Sequence, residues 1–461
     1  MNILRNIRLL LVTVVFATVM GSCHIYKKYD LPDDSTQSMK YKEALEQPVD
    51  SSALGNLQWD EIFTDPQLQA LITMALDNNV DLQNAKLNVD IAHAQLLGAR
   101  LSYLPSITFA PNGSGSKIFK VNDLDWGYQL PLSVSWEIDI FGQKLNSKRQ
   151  AQVNLKQTEA YEQATRSQII GAVANCYYSL VSYNKQLVLY RETAELWKQT
   201  VQVMRDMKEA GRYNEVAIVQ SEANYYSVLS AIPQVEMAIN ELNNTMSLLL
   251  NVEPQTWEIN TESMIVLPAK LEYGVPMSYL AARPDVRAAE YQFAAAYYAT
   301  NLARTAFYPN ITLSANGGYG TLMGSTILDP ARWFINLAGQ LTLPLFNSGQ
   351  NIASLKAAKA AQQQALNTFE SAVLNASAEV SNALVTMEKS QEMRQNIALQ
   401  VEKLQKAVEY NQDLLQLSTT TYLEVLTAQQ SLLNSQVSLL NTDLTINQAA
   451  INLYQSLGGG R

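Results

Sequence analysis

The sequence predicts an internally duplicated α+β membrane protein in which β-hairpins from several copies of the chain build a transmembrane barrel and long helices continue it. Three observations carry this. First, comparing the chain with itself at a shift of 204 residues aligns Asp81 with Asp285, Ala99 with Ala303, Arg100 with Arg304, Pro105 with Pro309 and Ile107 with Ile311. Further on, Phe141-Gly142-Gln143 matches Phe346-Asn347-Ser348-Gly349-Gln350 with two extra residues, and the shift becomes 207. One architecture therefore has to serve both copies. Second, each copy holds a stretch of ten or more residues that alternates apolar and polar with period two, which suits a strand with lipid on one face and water on the other. Third, Gln143 to Ala210 and Gln350 to Leu417 are free of proline and nearly free of glycine. As helices each would be about 100 Å long, too long for a compact globule.

At the N-terminus Arg5 and Arg8 precede the apolar stretch Leu9 to Met20. That stretch is too short to span a bilayer but suits the hydrophobic part of a signal peptide. Gly21 and Ser22, both small, then lead to Cys23 in a lipobox-like arrangement. Residues 1–22 thus read as a lipoprotein signal peptide, and Cys23 as the lipidated head of an N-terminal segment, 23–65. An ordinary signal peptide with an incidental cysteine satisfies the same cleavage logic. With Cys23 acylated, Cys176 has no disulfide partner and reads as a small buried helix residue.

The first repeat, 66–250, holds a helical pattern at Asp81 to Ser102, a hairpin (104–141), a long helix (143–210) and a return helix (215–250). In the hairpin a short strand, Ser106 to Asn112, precedes a long one. There Trp126, Tyr128, Leu130, Leu132, Val134, Trp136, Ile138 and Ile140 share one face, with Gln129, Ser133, Ser135, Glu137 and Asp139 on the other. Segment 251–284 contains proline, breaks the regularity and is expected to form an equatorial domain outside the helices. The second repeat, 285–461, runs through helix 285–306, hairpin 308–346, long helix 350–417 and return helix 422–457. Its strands are Asn310 to Tyr319 and one in which Trp333, Ile335, Leu337, Leu341, Leu343 and Leu345 oppose Asn336, Gln340 and Thr342. Leu130, Leu132, Val134, Trp136, Leu337, Leu341 and Leu343 are the expected lipid-facing residues. Half-buried strands of a soluble sandwich alternate in the same way. Four strands cannot close a barrel and open edges are not tolerated in lipid, so several chains must contribute. In the last helix Val425, Leu432, Leu439, Ile446 and Leu453 form one seven-residue stripe and Leu426, Leu433 and Leu440 a second. Two seams let a helix pack on both sides, as a closed cylinder of helices requires.

The chain carries 33 Lys+Arg against 42 Asp+Glu, a formal charge of −9. Without a basic surplus there is nothing to neutralise phosphates, and no nucleic acid is expected as a partner. Its two histidines, His24 and His93, and its two cysteines suggest neither a catalytic triad nor a metal-ligand cluster. No enzymatic activity and no cofactor are expected.

The duplicated strand–helix order comes with a set of short motifs. They are the Tyr103-Leu104-Pro105 and Tyr308-Pro309 strand entrances, Arg283-Pro284-Asp285-Val286, Leu343-Pro344-Leu345-Phe346 leading to Gly349, Tyr422-Leu423-Glu424-Val425-Leu426-Thr427-Ala428-Gln429, and the terminal Leu457-Gly458-Gly459-Gly460. Over nearly the whole mature chain this resembles the TolC-type outer-membrane efflux proteins. Cys23 followed by Tyr29 and Pro32 looks closest to their lipoprotein branch, the NodT and OprM-like factors. The resemblance implies a homotrimer, with four strands per chain giving a 12-stranded transmembrane β-barrel continued by a long periplasmic α-helical barrel. It implies an outer-membrane, lipid-anchored protein in contact with outer-membrane lipids and reaching into the periplasm. There it would serve as the passive exit duct of a tripartite efflux system for small molecules or drugs. Its partners would be a periplasmic adaptor (membrane fusion protein) and an inner-membrane pump of the resistance-nodulation-division type. A duct for type I secretion is the alternative. A coiled-coil structural or adhesin lipoprotein explains the helices but not the hairpins.

The closed end of such a duct falls at the turns after the long helices. From Ala407 through Gly460 there is no Lys or Arg, while Asp413 and Glu424 flank the second turn, Ser418 to Thr421. In the resemblance Glu424 matches a pore-facing acidic residue, whereas Thr427 stands where some members carry a second acid. The expected periplasmic gate comprises Glu424 and Asp413, an apolar constriction from Leu414, Leu415 or Leu417, and ion pairs from Arg205 or Arg212 that tie the two turns together.

Overall fold

A computed structural model of the chain describes residues 26, 28–32, 36–46, 57–116, 125–212, 214–265, 277–321, 333–416 and 422–460. Cys23, Leu417 and the second turn lie outside the described residues. The elements are α1 (Thr36–Glu46), α2 (Trp59–Ile62), α3 (Pro66–Asn78), α4 (Val80–Leu101), β1 (Ser106–Phe109), β2 (Asn112–Ser116), β3 (Asp125–Ile138), α5 (Gln143–Glu209), α6 (Glu215–Leu249), α7 (Met277–Ala282), α8 (Pro284–Thr305), β4 (Asn310–Thr321), β5 (Trp333–Thr342), α9 (Gln350–Gln416) and α10 (Tyr422–Ser456). The two 67-residue helices α5 and α9 span the proline-free stretches. Each starts after a glycine at positive φ, Gly142 at 74° and Gly349 at 75°, a backbone region an L side chain enters only at a cost.

The chain folds into two compact units. One comprises Met1–Ser35, Asn88–Glu159 and Ala288–Glu370, the other Thr36–Leu87, Ala160–Arg287 and Ser371–Arg461. The first holds an antiparallel sheet. β1 and β2 both lie along β3, which is followed by β4 and then β5.

The short first strand expected at Ser106 to Asn112 is a longer, interrupted one. β1 and β2 share one register on β3, with Phe109 opposite Leu132 and Asn112 opposite Gln129. The break at Ala110–Pro111 follows from two prolines without N–H groups: Pro111 cannot donate, and opposite Ala110 stands Pro131, which only accepts (3.3 Å). β5 ends at Thr342, so Leu343, expected as a strand residue, lies just outside it. Pro344 lacks the next ladder donor and restricts the residue before it.

The helices of the first unit repeat the strand order. Ala92 and Leu96 of α4 pack on Leu155 of α5. Lys156 of α5 places its ammonium 5.9 Å from the Tyr291 ring of α8. The Thr300 hydroxyl of α8 donates to the Ala358 carbonyl of α9 (3.2 Å). In the same unit Tyr29 meets the rings of Phe293 and Tyr297 at 5.7 and 5.8 Å, edge to face, and donates its N–H to the Tyr298 hydroxyl (3.3 Å).

In the second unit α10 uses both of its stripes. Tyr422, Val425, Leu426 and Leu433 join Ala194, Trp197 and Met204 of α5 and Ile218 and Val228 of α6 in one core. Ile446, Ala449 and Ala450 pack on Met387 of α9. Cys176 is a buried free thiol whose Sγ donates to the Leu242 carbonyl (3.3 Å), and burial pushes its pKa up to about 11.

Two polar clusters fasten segment 251–284. Asp65 caps α3 by accepting from the Gln67 and Leu68 amides, and its other oxygen accepts from the Tyr177 hydroxyl (3.0 Å) and Asn260 (3.2 Å). Burial alone raises the Asp65 pKa, but hydrogen bonds from Ser263, the Gln67 amide, Tyr177 and the Leu68 amide outweigh it and hold the carboxyl below its usual range. Arg283, itself buried, forks onto Asp285 (2.7 Å), Glu379 (2.6 Å) and the Ser456 carbonyl (2.9 Å).

Candidate functional site

The registers sort every strand residue onto one of two faces. On one face the cross-strand rows read Phe109, Leu132, Gly317, Ile335, then Ile107, Val134, Ala315, Leu337, then Trp136, Leu313, Gly339, and finally Ile138, Ile311, Leu341. On the other they read Thr108, Ser133, Asn316, Asn336, then Ser106, Ser135, Ser314, Ala338, then Glu137, Thr312, Gln340. The apolar face is not covered: Leu132, Trp136, Leu337 and Leu341 are all exposed. An uncovered apolar sheet face of this size is unfavourable in water and stable in hydrocarbon.

Aromatic residues end the apolar face at both levels. Tyr128 stacks with Tyr319 (6.2 Å), which meets Trp333 edge to face (5.8 Å). At the other end the Trp136 indole donates to the Tyr103 carbonyl (2.9 Å), and Phe141 stacks on Tyr308 (5.2 Å). Tyr128 and Trp136 are eight residues apart on β3, roughly 27 Å of strand or about 19–22 Å along the membrane normal at a tilt of about 35–45°, which fits within an apolar band about 25 Å tall. Within the sheet Gly318 is obligatory, since a Cβ there would lie 2.4 Å from the Leu130 carbonyl oxygen.

The sheet has two open edges. β1 is exposed along its length, and so are all ten residues of β5. Their unpaired backbone groups can be satisfied in lipid only by another chain's edge. Of the expected lipid-facing set, Leu130, Leu132, Val134, Trp136, Leu337 and Leu341 fall on the apolar face; Leu343 is exposed just beyond the strand.

The described residues that flank the two turns after the long helices belong to the second unit. Glu424 sits exposed in the first turn of α10, near the positive end of that helix. Asp413 and Leu414 are exposed in the last turn of α9, whereas Leu415 packs into the core of α5, α6 and α10. Arg205, expected to tie the two turns together, is engaged elsewhere: it pairs with Glu222 of α6 (2.6 Å), within the first helix pair. Lys208 pairs likewise with Glu215. Each cation has an acid directly across its own helical hairpin. Arg212 is exposed beside Gly211 and has no ion pair among the described residues. Sequence reasoning missed the Ser221–Tyr422 hydroxyl contact (3.3 Å) that joins the two tips, and the Arg283 fork. The signal for the fork was present as a motif, Arg-Pro-Asp, but its third partner is 96 residues away.

A sheet with one apolar and one polar face, girdled by aromatics, open at both edges and continued by long helices, is a wall segment of a transmembrane barrel channel. Comparison with known proteins gives the family. The outer membrane efflux protein family matches residues 71–252 and 275–459, and the chain belongs to it. The cation efflux system protein CusC of Escherichia coli K12 is 29% identical over 412 residues, covering 88% of this chain and 89% of the relative. The toluene efflux pump outer membrane protein TtgC of Pseudomonas putida is 27% identical over 479 residues, covering 98% and 95%. A crystal structure of CusC superposes with a TM-score of 0.83 at 28% identity over 95% of this chain and all of that one. The open-state MtrE outer membrane channel of Neisseria gonorrhoeae gives 0.82 at 26% identity over 94% and 97%. The protein is thus a TolC/OprM-type outer membrane channel of a tripartite efflux system, a trimer that works with efflux pump components.

Proposed function

We propose that three chains form a lipid-anchored exit duct that does no chemistry of its own and passes small molecules delivered by a periplasmic adaptor from an inner-membrane pump of the resistance-nodulation-division type. The observation that carries this reading is the two-faced sheet with two open edges. Residues 23–65 form the lipidated segment, with Cys23 acylated and the Tyr29 contacts holding the chain a few residues downstream. Cys23→Ala is expected to abolish labelling by a radioactive or clickable fatty acid; labelling at the wild-type level would refute the anchor.

At the periplasmic end three copies of Glu424 ring the aperture, with Asp413 and Leu414 beside them and Leu415 setting their height from the core. Leu417 and Arg212 belong to the turns that close it. Surface ion pairs contribute only about 0–1 kcal/mol each, so the closed state depends on packing as well, and an adaptor opens it by competing for these contacts. Single-channel recording in planar bilayers tests the ring. Glu424→Gln is expected to weaken cation selectivity and block by divalent ions. Unchanged selectivity and block would remove Glu424 from the aperture.

A further inference from the structure

We infer that an acyl chain carried by Cys23 lies in a groove on the apolar face of the chain's own sheet, so that anchor and barrel wall share one lipid-facing surface. The inference rests on the reading of Cys23 as acylated and goes beyond it by naming where the acyl chain goes.

The apolar face is not evenly filled. Val134, Ala315 and Leu337 stand in register across β3, β4 and β5, and Trp136, Leu313 and Gly339 do so at the next level. The two small residues, Ala315 and Gly339, leave a floor between the four large ones, and together they line most of a groove of about 460 Å³. That volume falls in the range of sites that hold small apolar ligands, about 300–1,000 Å³. Gly339 differs from Gly318, where a Cβ would strike the backbone of the neighbouring strand. A Cβ on Gly339 would meet only the Leu313 Cδ2, at 3.4 Å. The backbone does not call for glycine there, and the result is open space on a surface otherwise built of leucine, isoleucine, valine and tryptophan. Unfilled, such a gap forfeits dispersion contacts, and in a bilayer a hydrocarbon chain is what can supply them.

The N-terminal segment delivers a chain to that groove. Tyr29 packs on Phe293 and Tyr297, midway along α8. Tyr26, three residues nearer Cys23, has reached the end of α8: a Cβ on Gly142 would lie 3.4 Å from its ring, and Tyr308 and Arg304 are within electrostatic reach of its hydroxyl. The segment therefore runs toward the sheet, and Cys23 stands three residues farther on. Three residues of extended chain reach about 10 Å. An acyl chain that fills one leaflet of a hydrocarbon core about 30 Å thick adds about 15 Å. From Tyr308 to Leu313 is five residues of β4 and its entrance, about 17 Å. The tethered chain is long enough to enter the groove at the Trp136 level, the end of the apolar face that continues into the helices, and to pass Ala315.

Photocrosslinking in the full-length protein tests the seat. Cells grown on a fatty acid that bears a diazirine and an alkyne place this probe on Cys23 and in the phospholipids. Outer membranes are irradiated, the protein is purified and digested, and joined peptides are identified by mass. The expected product links the Cys23 peptide to a peptide of β4 or β5. It should be lost when Ala315→Leu or Gly339→Leu fills the groove, and kept in Thr312→Leu, a change on the polar face of the same sheet. Heat-modifiable mobility confirms that each variant compared is an assembled barrel. A Cys23 peptide that carries the probe but joins neither strand, phospholipid adducts alone on β4 and β5, or a link that survives both groove-filling changes overturns the seat and leaves the anchor standing. A Cys23 peptide without the probe overturns the anchor and the seat together.

Discussion

β3 with the start of α5 and β5 with the start of α9 are copies of one another, yet they occupy different environments. Both strands alternate with period two, and both lead to a glycine at positive φ and a 67-residue helix. β3 and the first four turns of α5 are mostly half-buried, flanked by neighbours on both sides; β5 is exposed throughout, and the first turns of α9 are mostly exposed. Sequence pattern does not account for the difference, which arises from position, centre against edge. The edge copy has the same capacity to pair as the central one and, among the described residues, is paired on one side only. A single chain is therefore an incomplete object, and the missing neighbour has the character of the chain's own other edge.

That comparison can be broken most severely on the apolar face. Arginine at Leu132 in the central strand, or at Leu341 in the edge strand, is expected to cost about 2–4 kcal/mol of barrel stability. Arginine at the neighbouring Ser133 or Gln340 should be milder. Heat-modifiable mobility of the assembled barrel measures this, and equal effects on both faces would mean that the strands do not face lipid. Arg283→Ala removes the fork that joins the start of the second repeat to α9 and to the end of α10. Because Asp285 and Glu379 are more than half exposed and regain water, the expected loss is about 1–3 kcal/mol, below that for a fully buried pair.

The smallest expected effect concerns the polar cluster around Asp65. The Asp65 carboxyl is held below its usual pKa in the folded chain, so its contribution is complete above the ordinary carboxylate range and is lost as pH falls through the folded value. Asp65→Asn should cost about 1 kcal/mol near neutral pH and flatten the acid limb of the melting temperature against pH. An acid limb as steep as that of the wild type would assign the pH dependence to other carboxyls.

The parts of the structure legible in the sequence are those governed by local periodicity. Alternation exposed the apolar row of the sheet, absence of proline exposed the long helices, and the stripes of α10 pick out core residues, Val425, Leu426 and Leu433 on α5 and α6 and Ile446 on α9. Strand ends were misjudged where proline acts across the ladder as well as along the chain: Pro131 interrupts the β1/β2 line from the neighbouring strand, and Pro344 ends β5 before Leu343. Side-chain partners at long sequence separation were not legible. Arg205 reads as a charge near a turn, and only the folded hairpin shows that Glu222 claims it. Tyr29 reads as part of a short motif, and only the packed unit shows the three aromatic residues of α8 around it.

The central claim is that the two open edges of one chain close on those of its neighbours to form a conducting barrel. It is tested most directly by measuring the mass of the detergent-solubilised particle and the conductance of the same preparation in planar bilayers. The account predicts a particle of three chains that conducts ions. A stable monomer with no conductance would contradict it.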